Sequence, residues 1–86
     1  MTVEVKGLGK IEATEDVLNF ISLTILEAAS WREEKAWLAE KTGFPGKTKE
    51  AIEAAKEAFK ESAEKYRSYG NQIYEALKAG GYYDRS

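Results

Sequence analysis

Along residues 2–13 the apolar Val3, Val5, Ile11 and Ala13 alternate with Glu4, Lys6, Lys10 and Glu12. A period of two is the signature of a strand with one buried face. Gly7-Leu8-Gly9 interrupts it, so the segment reads as a β-hairpin. A two-residue loop would set Val5 opposite Lys10 and mix the faces. A three-residue loop, Gly7 to Gly9, sets Val5 opposite Ile11 and Val3 opposite Ala13, which keeps one face apolar. That register also places like charges across from each other, Lys6 with Lys10 and Glu4 with Glu12. Two strands alone are marginal in water, so the hairpin must dock on something.

The pattern then changes. Nine of the thirteen residues in 17–29 are apolar, and they follow Thr14-Glu15-Asp16, a helix start with acidic groups in the first turn. The run is too short to cross a membrane and too apolar for a helix with one buried stripe. A first helix is expected over 15–41, capped by Thr14, with Gly43 as its C′ residue. At about 100° per residue, Val17, Phe20, Ile21, Thr24, Ile25 and Ala28 share one broad face, continued by Trp31 and Leu38. These are the expected core positions, Trp31 included. Leu26 and Trp37 fall on roughly the opposite side, with Leu23 beside them. One neighbouring helix cannot cover both stripes.

Residues 42–47 form the inter-helix turn, from which Phe44 is placed to plug the end of the core. A second helix is expected over 49–79, capped by Thr48 and ended by Gly80-Gly81. Ile52, Ala55, Phe59, Ala63, Tyr66, Gly70, Ile73 and Leu77 follow steps of three and four and define its buried face. A mid-helix glycine costs about 1 kcal/mol against alanine, so Gly70 marks either a close helix contact or a kink. The tail, 80–86, is either frayed or a strap carrying Tyr82 and Tyr83 across the bundle.

Composition narrows the class. The chain has 86 residues, with neither Cys nor His. Disulfides and thiolate zinc sites are excluded, and the commonest metal ligand and general base are missing. A chain this small commonly adds disulfides, metal or oligomerisation to a modest core, which leaves oligomerisation, or a well-packed monomer with none of these. Thirteen basic and fifteen acidic side chains are intermixed, for a net charge of −2. That is not a nucleic-acid stripe. No targeting segment or membrane span is read in the chain, which fits a cytoplasmic setting.

Each candidate site is weighed against a plainer reading. Gly46-Lys47-Thr48 precedes a helix, as a phosphate loop does. That motif needs a glycine at position 41, which is Lys, and a preceding strand. A turn with a threonine cap explains it better. Glu33/Glu34 and Glu57/Glu61 lie among Arg32, Lys35, Lys56 and Lys60 at helical pairing distance and read as solvated faces. Glu27 reads as the edge of an apolar face rather than a ligand. The ten aromatic residues carry more information, because Tyr and Trp are enriched at interfaces. Tyr66, Tyr69 and Tyr74 surround Gly70, either as a pocket or docking patch or, for Tyr66 and Tyr74, as edge-of-core residues with wet hydroxyls. Leu23, Leu26 and Trp37 form the uncovered stripe.

The expected fold is mainly α: a short N-terminal β-hairpin and a long antiparallel two-helix hairpin in one domain, dimerising into a four-helix arrangement. The expected function is non-catalytic protein interaction, as an adaptor, inhibitor or assembly factor. This size class is common among phage and bacterial accessory proteins, anti-defence inhibitors among them. Contacts would come from Leu23, Leu26, Trp37, Tyr66, Tyr69 and Tyr74. The partners expected are a second copy of the chain and another protein, with no nucleic acid, membrane, cofactor or metal. The alternative is an oligomer that sequesters a nucleotide-like ligand, with the tyrosines stacking on it and Lys47 or Arg67 meeting its phosphate.

Overall fold

The computed structural model describes residues 1–43 and 46–84. Strands β1 (Thr2–Val5) and β2 (Gly9–Glu12) pair antiparallel. Helices α1 (Glu15–Lys41) and α2 (Lys49–Ala79) follow, and a 3-10 turn at Tyr82–Asp84 closes the described chain. The proposed Phe44 plug falls outside the described residues, as does the end of the tail at Arg85 and Ser86. No helix among the described residues is long and apolar enough to cross a membrane.

Both helices begin where their threonines predict. Thr14 and Thr48 have extended backbones, and each hydroxyl accepts a backbone N–H three residues on, from Val17 and Ala51, at 3.2 Å. Helix α1 ends at Thr42, whose N–H reaches the Leu38 carbonyl at 2.8 Å, and Gly43 follows as C′ with φ 67°. Contacts between the helices run in opposite directions along the chain. Ser22 meets Gly70, Arg32 meets Ser62 and Gly43 meets Ile52, so the pair is antiparallel.

The buried seam of α2 is the expected one, with Ala63, Gly70, Ile73 and Leu77 buried and Ile52, Ala55, Phe59 and Tyr66 half-buried. The seam of α1 is not. It runs through Leu18, Ser22, Ile25, Ala29, Arg32, Ala36 and Ala39, alternating steps of four and three, the spacing of closely packed helix pairs. Of the expected face only Ile21 and Ile25 pack against the core. Val17, Phe20 and Trp31 are 47%, 69% and 49% exposed. Small residues win the seam because they let the backbones approach. A Cβ on Gly70 would lie 2.6 Å from Leu26 Cγ, and the buried Ser22 hydroxyl donates to the Gly70 carbonyl at 2.9 Å. Gly70 therefore marks close contact, and α2 runs unbroken through it.

The larger core side chains gather at one end. Leu18, Ile73 and Leu77 are fully buried, and the hairpin covers them with Val3 and Val5. The hairpin register also differs from expectation. Val3 faces Ile11, Val5 faces Gly9 and Glu4 faces Lys10, with Lys6-Gly7-Leu8 as the loop. This register keeps the same apolar face and replaces the like-charge pairs by an opposite pair. The loop is held from α2. Gln72 accepts the Lys6 N–H at 2.7 Å and donates to the Lys6 carbonyl at 3.2 Å. Gly7 has φ 93° and lies against the Tyr69 ring, whose hydroxyl donates to the Gly7 carbonyl at 3.3 Å.

Candidate functional site

Ser22, Ala29, Ala36 and Ala39 take much of the seam of α1, and five of its large apolar residues are left outside. On one flank lie Val17, Phe20 and Trp31, and on the other Leu23 and Trp37, 56% and 54% exposed. Single exposed apolar residues are ordinary, but here five large ones stand on one helix. Elsewhere among the described residues the exposed large apolar side chains are Met1, Leu8 and Tyr83.

The Phe20–Trp31 flank has relief. Thr24 and Ala28 lie between the two aromatic residues, and a shallow groove there is lined by Thr24, Glu27, Ala28, Trp31 and Arg32. Trp31 is anchored on its inner edge by Phe59, ring centroids 6.2 Å apart and nearly perpendicular. The Lys35 ammonium lies 5.3 Å from the Trp31 ring centroid. The Arg32 guanidinium lies 5.5 Å from Trp31 and 4.4 Å from Tyr66, and its Nε donates to Ser62 at 2.8 Å. Arg32 is therefore drawn toward α2, and Lys35 is drawn onto the indole.

That face is acidic. Asp16, Glu27 and Glu34 lie between its two apolar rows, and all three are exposed. From residue 17 to residue 31 the chain has no Lys or Arg. Glu33, next to this row, turns to α2, where Arg67 donates to it through Nε at 2.7 Å and pairs through Nη2 at 2.6 Å.

The remaining candidates are placed as follows. Leu26 is half-buried against Gly70. Tyr66 lies under Arg32 and edge-on to Tyr69, whose hydroxyl is spent on the hairpin. Tyr74 stacks instead on Tyr83, centroids 5.1 Å apart. The three tyrosines do not converge on one cavity. Arg67 is engaged by Glu33 and Ser30, and the α2 segment from Lys49 to Arg67 spans about 27 Å, which sets Lys47 far from Arg67.

The tail is a strap. The Tyr82 hydroxyl donates to Asp16 at 2.7 Å, and the Tyr83 hydroxyl donates to Asn19. The Tyr82 pKa is raised above 10.0 by that bond to Asp16, and further by burial and the nearby negative charge. The Tyr83 pKa is raised by burial and by Tyr74.

No buried side-chain N or O among the described residues lacks a partner, and no three acidic side chains converge as a metal site. Sequence reasoning missed the outward role of Val17, Phe20 and Thr24 by assigning them to the core. The signal that would have found it is the row Ser22, Ala29, Ala36 and Ala39, all at seam spacing. No protein-family model matches the chain, nor does any curated protein or solved structure.

Proposed function

We propose that the chain is a non-catalytic protein-interaction module whose contact surface is the outward face of α1. One observation carries this reading: Val17, Phe20, Leu23, Trp31 and Trp37 all stand at 47–69% exposure on one helix of an otherwise packed fold. Aromatic anchors of this kind dominate binding energy when a partner buries them. The seam with α2 does not need them, so they are free to serve association. A four-helix arrangement with a second copy is one form such contact takes, and docking on a different protein is the other.

Site-specific photocrosslinking in the expressing cell tests the reading. A benzophenone side chain at position 20 should give a discrete protein adduct, either a doubled chain or a heteromeric band. The same group at position 57, on the outer side of α2, should give none. Equal labelling at the two positions, or no adduct from position 20, overturns the proposal.

A further inference from the structure

The contact face has a charge as well as a shape, and the charge bears on what covers it. Phe20 and Trp31 lie eleven residues apart on one flank, about 16 Å along the helix. The shallow groove on this flank, lined by Thr24, Glu27, Ala28, Trp31 and Arg32, adjoins Trp31. A side chain of leucine size on a neighbouring helix would seat there against the Trp31 ring, with Phe20 exposed farther along the same flank. Next to this groove runs the row Asp16, Glu27 and Glu34, all exposed. The nearest bases, Arg32 and Lys35, are drawn onto the Trp31 and Tyr66 rings. A helix docking here must therefore bring its own positive charge.

A second copy of α1 does not. A two-fold pairing centred on residues 17–31 brings Glu27 of both chains into one interface, and that stretch has no Lys or Arg to offset them. Like charges brought together at an interface oppose it. The outer side of α2 is no better suited, since its lysines alternate with glutamates.

Resting on the contact-face reading above, we infer that α1 takes a basic amphipathic helix of a partner protein. That helix packs alongside α1 as a third helix, its apolar stripe on Phe20, Thr24 and Trp31. Its Lys or Arg residues lie over Glu27 and Glu34. This is helix-on-helix recognition, in which apolar anchors give affinity and flanking charges give orientation and choice of partner.

The test uses two synthetic amphipathic helices of about 15 residues, one of Leu and Lys and one of Leu and Glu. Binding to the full chain is followed by tryptophan emission, which reports from Trp31 and Trp37. At low salt the Leu–Lys peptide should bind about tenfold or more tighter than the Leu–Glu peptide. The double substitution Glu27→Lys/Glu34→Lys should invert that preference. Phe20→Ser should weaken the Leu–Lys peptide about tenfold. Glu57→Lys/Glu61→Lys, the same charge change on α2, should leave binding as it was. Should the α1 reversal not fold by circular dichroism, Glu27→Gln/Glu34→Gln carries the same test and should abolish the preference.

Equal binding of the two peptides, or a preference that survives the α1 charge change, overturns the basic-helix assignment. The contact face stands in that case if Phe20→Ser still weakens both peptides. Binding that ignores Phe20→Ser, or no binding of either peptide, removes the contact face as well. A dimer of the unmodified chain in sedimentation equilibrium, dissociated by Phe20→Ser, makes the occupant a second copy. It overturns the basic-helix assignment and leaves the contact face in place.

Discussion

Gly70 is where the two helices come closest, and its missing side chain is a requirement of packing. A Cβ there would sit 2.6 Å from Leu26 Cγ and 2.7 Å from Leu26 Cδ2, with the Ser22 carbonyl at 3.3 Å. Alanine gains about 1 kcal/mol of helix propensity over glycine. Overpacking a closed core costs about 1–3 kcal/mol. The second effect wins because Leu26 is wedged between the helices at its branch point, not at a free tip. Gly70→Ala should therefore lower unfolding free energy by about 1 kcal/mol net in urea titration. Leu26→Ala in the same chain opens the space, so the double variant should lose less than the sum of the two single losses. Ser22→Ala tests the other half of the contact. The hydroxyl is buried, and its bond to the Gly70 carbonyl is worth about 1 kcal/mol. None of this was visible as a preference of either residue alone. The sequence showed a glycine on the packed face of a helix and left two explanations, and the partner atoms on α1 decide between them.

At the scale of elements, helix boundaries were legible and one helix face was not. The caps Thr14 and Thr48 and the acidic first turns act locally, so the elements α1 and α2 have the expected ends. The α2 face was legible because Phe59, Ile73 and Leu77 coincide with the small residues on a single seam. In α1 the two signals separate. Hydrophobicity points to Val17, Phe20 and Trp31, whereas close approach needs Ser22, Ala29, Ala36 and Ala39. Burial favours the apolar face only until the partner's own shape is considered, and α2 offers Ala63 and Gly70. This division predicts opposite outcomes for size and for polarity. Ala36→Leu, which raises hydrophobicity, should destabilise the chain by about 1–3 kcal/mol. Phe20→Ser, which removes a large apolar group, should change stability by about 0.5 kcal/mol or less, because the ring is 69% exposed. Thermal melts of the two variants give the answer directly. A strongly destabilised Phe20→Ser would place that side chain in the core. The hairpin register has a similar origin: both three-residue loops kept Val3 and Val5 on one face, and the pairing of Glu4 with Lys10 is the cue that separates them.

On the scale of the whole molecule, the hairpin and the Tyr82–Asp84 turn meet near the start of α1, which ties the fold together where its largest core residues lie. The hairpin caps Leu18, Ile73 and Leu77, while the strap crosses from α2 to Asp16 and Asn19. Whether the tail frays or straps was beyond the sequence, because the partners of Tyr82 and Tyr83 are more than sixty residues away. Strap closure should depend on pH at the alkaline end. The Tyr82 hydroxyl must keep its proton to donate to Asp16, and an ionised Tyr82 would face that carboxylate as a like charge. Both its pKa and that of Tyr83 are raised above 10.0, the value expected in the unfolded chain. A group whose folded pKa is raised binds its proton more tightly when folded. Its stabilisation is complete below 10.0 and is lost as pH rises through the higher folded value. Unfolding free energy should therefore fall as pH passes above 10.0, with no matching contribution from these tyrosines on the acid side. Tyr82→Phe should lower stability at neutral pH and flatten the alkaline decline, since it removes both the bond and the titration. Phenolate absorbance gives the parallel reading: Tyr82→Phe should delete a component that titrates above 10.0. Tyr83 keeps its own raised component, so a Tyr82→Phe titration that leaves the amplitude above 10.0 undiminished would show that the strap does not hold Tyr82 against Asp16 in solution.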